Sequence, residues 1–101
     1  MQLDDAVPVA DEITITLRRP IKFVDQVYTE ISLREPSAIE LSKAMKEAGE
    51  VDMVIALIQM VSGIPRRAVE QLAQRDLGEC ARFFAQFSLQ TLPVSGALLP
   101  T

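Results

Sequence analysis

From residue 12 the chain alternates between apolar and polar positions. Ile13, Ile15 and Leu17 fall on one side of an extended backbone, with Thr14, Thr16 and Arg18 on the other. This is the period-2 pattern of a half-buried strand. Pro20 is expected to end it. A second alternation places Val27, Thr29, Ile31 and Leu33 on one face and Tyr28, Glu30 and Ser32 on the opposite one. The stretch from Arg19 to Gln26 is too long for a two-residue turn. It forms a wide loop, or Ile21 to Val24 extends one of the strands. An antiparallel hairpin is the simplest closure.

Beyond Pro36 the spacing becomes helical. Ser37 and Glu40 stand three apart as a capping box, opening a helix over 38–48. Its apolar face is Leu41, Ala44, Met45 and Ala48, and Gly49 suits the residue just past its end. Asp52 is placed to cap a second helix over 53–62, which Gly63 stops. Pro65 suits the first turn of a short third helix, with Ala68, Val69 and Leu72 as its buried stripe. Asp76 and Glu79 mark the start of a fourth helix, running to Phe87 with Leu77, Cys80, Ala81, Phe84 and Phe87 on one face. The expected fold is α+β: an N-terminal antiparallel β-hairpin followed by about four short α-helices. Residues 12–87 form one globular unit between a flexible N-terminus (1–11) and a flexible C-terminal tail (88–101), the latter carrying Leu89, Leu92, Leu98 and Leu99.

The second helix is unusual, because from Met53 to Val61 only Gln59 is polar. Side chains at about 100° per residue then place apolar groups all round the helix, which calls for burial on every side. Either this helix is the centre of the fold, or one side of it meets another chain. The candidate partner-binding residues are therefore Met53, Val54, Ile58 and Met60, joined by Phe83 and Phe87 from the fourth helix. Phe83 stands beside the apolar stripe and is not required inside the monomer.

Composition narrows the function. A net charge of −4, from 14 acidic and 10 basic side chains, opposes binding to nucleic acid or to an anionic membrane. No apolar run is long enough to span a bilayer, and the acidic first residues do not read as a signal peptide, so a cytoplasmic protein is expected. There is no histidine and a single cysteine, which rules out a Ser-His-Asp triad and Cys/His metal sites. Cys80, on an apolar helix face, reads as a core residue. Asp4 with Asp5, or Asp11 with Glu12, reads as a solvated acidic terminus rather than a cation site, since EF-hand spacing is lacking. No catalytic residue, metal or cofactor is expected.

Arg66 and Arg67 open the third helix, where positive charge opposes the helix dipole. A helix-turn-helix that presents them to DNA is one reading, and the acidic chain argues against it. The mismatch points instead to an acidic partner, which makes both arginines candidate partner-binding residues.

The order of these features resembles a known family. One strand ends in Leu17-Arg-Arg-Pro20-Ile21, and the next ends in Leu33-Arg-Glu-Pro36-Ser37. An apolar helix then leads through Ser62-Gly-Ile-Pro65 to Val69 and Leu72, before Asp76 opens the last helix. From Ile13 to Phe87 the chain resembles the phage tail assembly chaperones of Mu-like and related contractile-tailed bacteriophages. The resemblance implies a non-catalytic protein of the infected or lysogenic host cytoplasm. Such a protein binds the tape measure protein, keeps it soluble, helps the tail tube protein polymerise around it, and is absent from the mature virion. It also implies self-association and, in many members, a longer frameshifted form. The rival readings are a small dimeric adaptor or structural tail protein and, behind it, the helix-turn-helix regulator.

Overall fold

A computed structural model describes residues 11–87. The expectations for the two termini, including Asp4 and Asp5, lie outside the described residues. Two strands, β1 (Glu12–Phe23) and β2 (Gln26–Arg34), pair antiparallel. Four helices follow: α1 (Ala38–Ala44), α2 (Glu50–Ser62), α3 (Arg66–Val69) and α4 (Gln74–Ala85). The expected α+β hairpin-then-helices order is the observed one.

Pro20 does not end β1. The ladder runs in register from Glu12↔Arg34 to Thr16↔Glu30, breaks, and resumes at Ile21↔Tyr28. In the break Leu17, Arg18, Arg19 and Pro20 face only Thr29. Proline is tolerated in such a bulge because no ladder N–H is needed from it. The extension of β1 shortens the connection to Val24 and Asp25, so the hairpin closes in the two-residue turn that the spacing had seemed to forbid. The bulge also changes the phase of β2. Ile31 and Leu33 are buried as expected, but Val27 and Thr29 are exposed, while Tyr28 turns half inward opposite Ile21. An odd offset between paired strands exchanges their faces.

The bulge leaves the backbone N–H groups of Arg18 and Arg19 without strand partners, and such donors need acceptors when covered. Asp76 of α4 supplies them. Its Oδ1 accepts from Arg18 N at 3.0 Å, and its Oδ2 from Arg18 N at 3.1 Å and from Arg19 N at 3.2 Å. Asp76 is thus a fully buried clamp in the first turn of α4 rather than its N-cap, which is Ala73.

The helices depart from their expected bounds at several ends. The capping box on α1 is present, with Glu40 N–H donating to Ser37 Oγ and Ser37 N–H donating to Glu40 Oε1. Arg34 adds two hydrogen bonds of 2.8 Å to the same carboxylate. The helix stops at Ala44 rather than Ala48, leaving Met45 and Ala48 exposed. The following link closes with short-range bonds from Lys46 N to Lys43 O and from Glu47 N to Ala44 O, while Glu47 reaches out to Arg66. Gly49, with φ −132°, is the extended N-cap of α2 rather than a left-handed stop, so Asp52 falls inside the first turn. Gly63 does stop α2, in the left-handed conformation at φ +79°, where glycine avoids the Cβ clash. α3 is a single turn, and Leu72 lies half-buried beyond it.

α2 is the central helix. Five consecutive residues, Val54 to Ile58, are buried. The helix packs against β2, α1, α3 and α4, while α4 and α3 also cover β1. The core joins the inward side chains of the hairpin (Ile15, Leu17, Ile21, Ile31 and Leu33) to Ala68, Val69, Cys80, Phe83 and Phe84. The all-round apolar character of α2 is thus largely consumed within one chain.

Candidate functional site

Among the described residues the core is not closed on every side. Between α1, α2 and the end of α4 lies a cleft of about 500 Å³. Its floor is Val54, Leu57 and Phe84, and its walls include Leu41, Met53 and Phe87. Met45, 59% exposed, stands at its edge, and Glu35 and Glu50 supply charge at the rim. The cleft exists because α1 is only two turns long and ends before it can cover the first turn of α2. An apolar trough with a few charged edges suits the apolar face of a helix. Methionine at two positions gives the wall a side chain that adapts to different contours.

The eight residues singled out from the sequence are divided by the fold. Met53, Val54 and Phe87 meet in the cleft. Ile58 and Phe83 are core residues, at 0% and 3% exposure, so the expectation that Phe83 could stand outside the monomer core is corrected. Phe83 packs edge-to-face with both Phe84 and Phe87, at ring separations of 5.5 and 5.2 Å, and so supports the aromatic wall from behind. It is held inward because α4 turns the Asp76–Cys80–Phe83–Phe84 side toward β1 and α2. Met60 packs half-buried against the core, away from the cleft lining.

Arg66 already has acidic partners inside the chain. It binds Glu47 through both terminal nitrogens at 3.3 Å, approaches Asp52 at 3.7 Å and contacts Glu70 at 3.4 Å. These contacts answer the dipole mismatch locally and tie α3 to the start of α2. Arg67 is exposed and has no ion pair among the described residues. α3, at four residues and with Ala68 and Val69 buried, is too short to act as a recognition helix in a DNA groove.

Sequence reasoning passed over a second cleft, of about 480 Å³, lined by Arg18, Gln74, Arg75, Gly78, Glu79 and Arg82. Its signal was partly present: Arg75 and Arg82 are seven apart, two turns on one helix face. Arg18 could not be joined to them without knowing that the β1 bulge docks on α4.

Reactive chemistry is not supported by the buried groups. Burial, followed by the charges of Asp76 and Glu79, pushes the Cys80 thiol up to about 12, so the thiolate nucleophile is suppressed. Among the described residues no group of three or more potential ligands is placed to hold a metal ion. No described helix is long and apolar enough to cross a membrane.

Comparison with known proteins agrees with the resemblance noted above. No curated protein and no solved structure matches the chain. A family model described as "Phage tail assembly chaperone proteins, E, or 41 or 14" matches residues 14–89, which takes in the hairpin except for Glu12 and Ile13, all four helices and both clefts. The chain therefore belongs to the phage tail assembly chaperone family.

Proposed function

We propose that this chain is a non-catalytic chaperone that holds an α-helical segment of the tape measure protein in the α1–α2–α4 cleft. It keeps that protein soluble in the host cytoplasm until the tail tube protein polymerises around it, and then leaves. The observation that carries this reading is an open apolar cleft in a member of the tail assembly chaperone family. Each well-buried anchor contributes roughly 1.5–3 kcal/mol before ordering costs are subtracted. Several such contacts give binding that polymerisation can still reverse. Met53 and Phe87 are the anchors best placed on the walls, with Val54 beneath them. Self-association draws on the apolar side chains left exposed on α1, its end and the start of α2: Ile39, Met45 and Val51.

Co-expression with the tape measure protein tests the proposal. The soluble fraction of that protein rises in the presence of the chain, and the two co-purify. A Met53→Asp, Phe87→Asp double variant loses both effects. Equal solubility with and without the chain, and no co-purification, overturn the reading. Recovery of the chain from purified virions supports the structural tail protein instead.

A further inference from the structure

The arginine-lined cleft is an anomaly in an acidic chain. Arg18 from β1 and Arg75 and Arg82 from α4 converge on it, and all three are exposed. Among the described residues the ion pairs belong to Arg34 and Arg66, so these three guanidinium groups have no carboxylate within 4.0 Å. Glu79 is the single acidic residue in the lining. Asp76, close by in sequence, faces inward with its oxygens on the β1 backbone. Three like charges gathered around a single carboxylate leave an excess of positive charge, and an anionic partner relieves the repulsion among them. Gly78, between Arg75 and Arg82, leaves space where a side chain would stand: a Cβ built there meets nothing within 4 Å.

We propose that Arg18, Arg75 and Arg82 form a docking cleft for the carboxylates of an acidic, amphipathic helix of a protein partner. Carboxylates fit better than a phosphate backbone because the basic surface is a short cleft edged by Glu79 on a chain of net charge −4. The planar guanidinium fork matches a carboxylate. An amphipathic helix is the occupant because both clefts border α4. Ala81 and Ala85 line the apolar cleft, while Gly78 and Arg82 line the basic one on the neighbouring stripe. A helix seated in the apolar trough brings side chains on one of its edges to Arg82. In this respect the inference rests on the helix-in-cleft reading proposed above. It also transfers the choice of an acidic partner from Arg66, which is occupied within the chain, to three arginines that have no ion pair among the described residues.

The test uses two synthetic helical peptides of about 18 residues with the same Leu/Ala face, one bearing Glu and the other Gln along one edge. Binding to the full chain is read by fluorescence anisotropy. At about 0.05 M salt the Glu peptide binds about tenfold tighter, the sum of several exposed ion pairs. At about 0.5 M salt the preference shrinks. In Arg75→Gln/Arg82→Gln it is lost, while the Gln peptide's affinity and the Tm are unchanged. Arg18→Gln, which keeps the backbone N–H bound to Asp76, halves the preference or more. Equal affinity of the two peptides for the wild-type chain, no binding of either, or a preference that survives in the double variant overturns the inference. So does a duplex DNA that binds more tightly than the Glu peptide. Binding of the Gln peptide without a Glu preference sinks this inference alone. Arginine-dependent binding of the Glu peptide that Met53→Asp leaves unchanged supports the arginine cleft and counts against the apolar one.

Discussion

Asp76 and Val24 show what individual residues do in this fold. The Asp76 carboxylate is fully buried and is matched to two backbone donors that the β1 bulge set free. Hydrogen bonds to a charged acceptor are among the stronger ones, and an unmatched buried N–H is costly. Asp76→Ala is therefore expected to lower stability by about 3 kcal/mol, measured by urea unfolding. Asp76→Asn recovers only part of this, because its amide nitrogen turns one acceptor into a donor. Val24 carries a different load. It occupies the first central position of the hairpin turn with φ +56°, the left-handed region that a β-branched side chain disfavours. It is 74% exposed, so its side chain contributes little packing. Val24→Gly removes a penalty of roughly 1–2 kcal/mol and adds back part of it as unfolded-state entropy. The expected result is a Tm higher by roughly 4–8 °C, the equivalent of about 1 kcal/mol in a domain this small.

Among the described helices α1 alone has a side-chain N-cap; α2, α3 and α4 have none. In α1, Glu40 closes the capping box and also receives Arg34. The Arg34 hydrogen bonds, then the Ser37 N–H, lower its carboxyl from 4.5 to about 2. In the unfolded chain the same group titrates near ~4.3. The folded form thus resists protonation, and the stabilisation from Glu40 is fully present above that value. It is lost as pH falls from there toward about 2. Glu40→Gln is expected to lower the Tm by a few degrees at neutral pH. The gap between variant and wild type then closes in melts taken at successively lower pH. A gap that stays constant down to the acid limit counts against this account.

At the scale of the molecule, the hairpin and α2 build the core, and among the described residues the short α1 leaves part of α2 open as a cleft. On the function proposed above, folding and partner binding draw on different faces of one apolar helix. Met53→Glu, on the half-buried wall, is expected to leave the Tm within a few degrees of wild type while weakening capture of the tape measure protein about tenfold or more. Ile58→Ala, at 0% exposure, is expected to destabilise the chain by roughly 2–4 kcal/mol. Thermal melts and pull-downs on the two variants separate the faces. The sequence by itself determined the order of elements, the capping box at Ser37, the stop at Gly63 and the family-like run of motifs. These depend on neighbours along the chain, through backbone period and local hydrogen bonds. It could not determine that β1 continues through Pro20, because that depends on acceptors from Asp76, more than fifty residues away. Nor could it separate Phe83 and Ile58 as core from Met53 and Phe87 as cleft, since apolar residues look alike until other elements cover them. The convergence of Arg18 with Arg75 and Arg82 was hidden for the same reason. Only tertiary structure decides which distant residues share a surface, because that is set by how the bulged strand docks on α4.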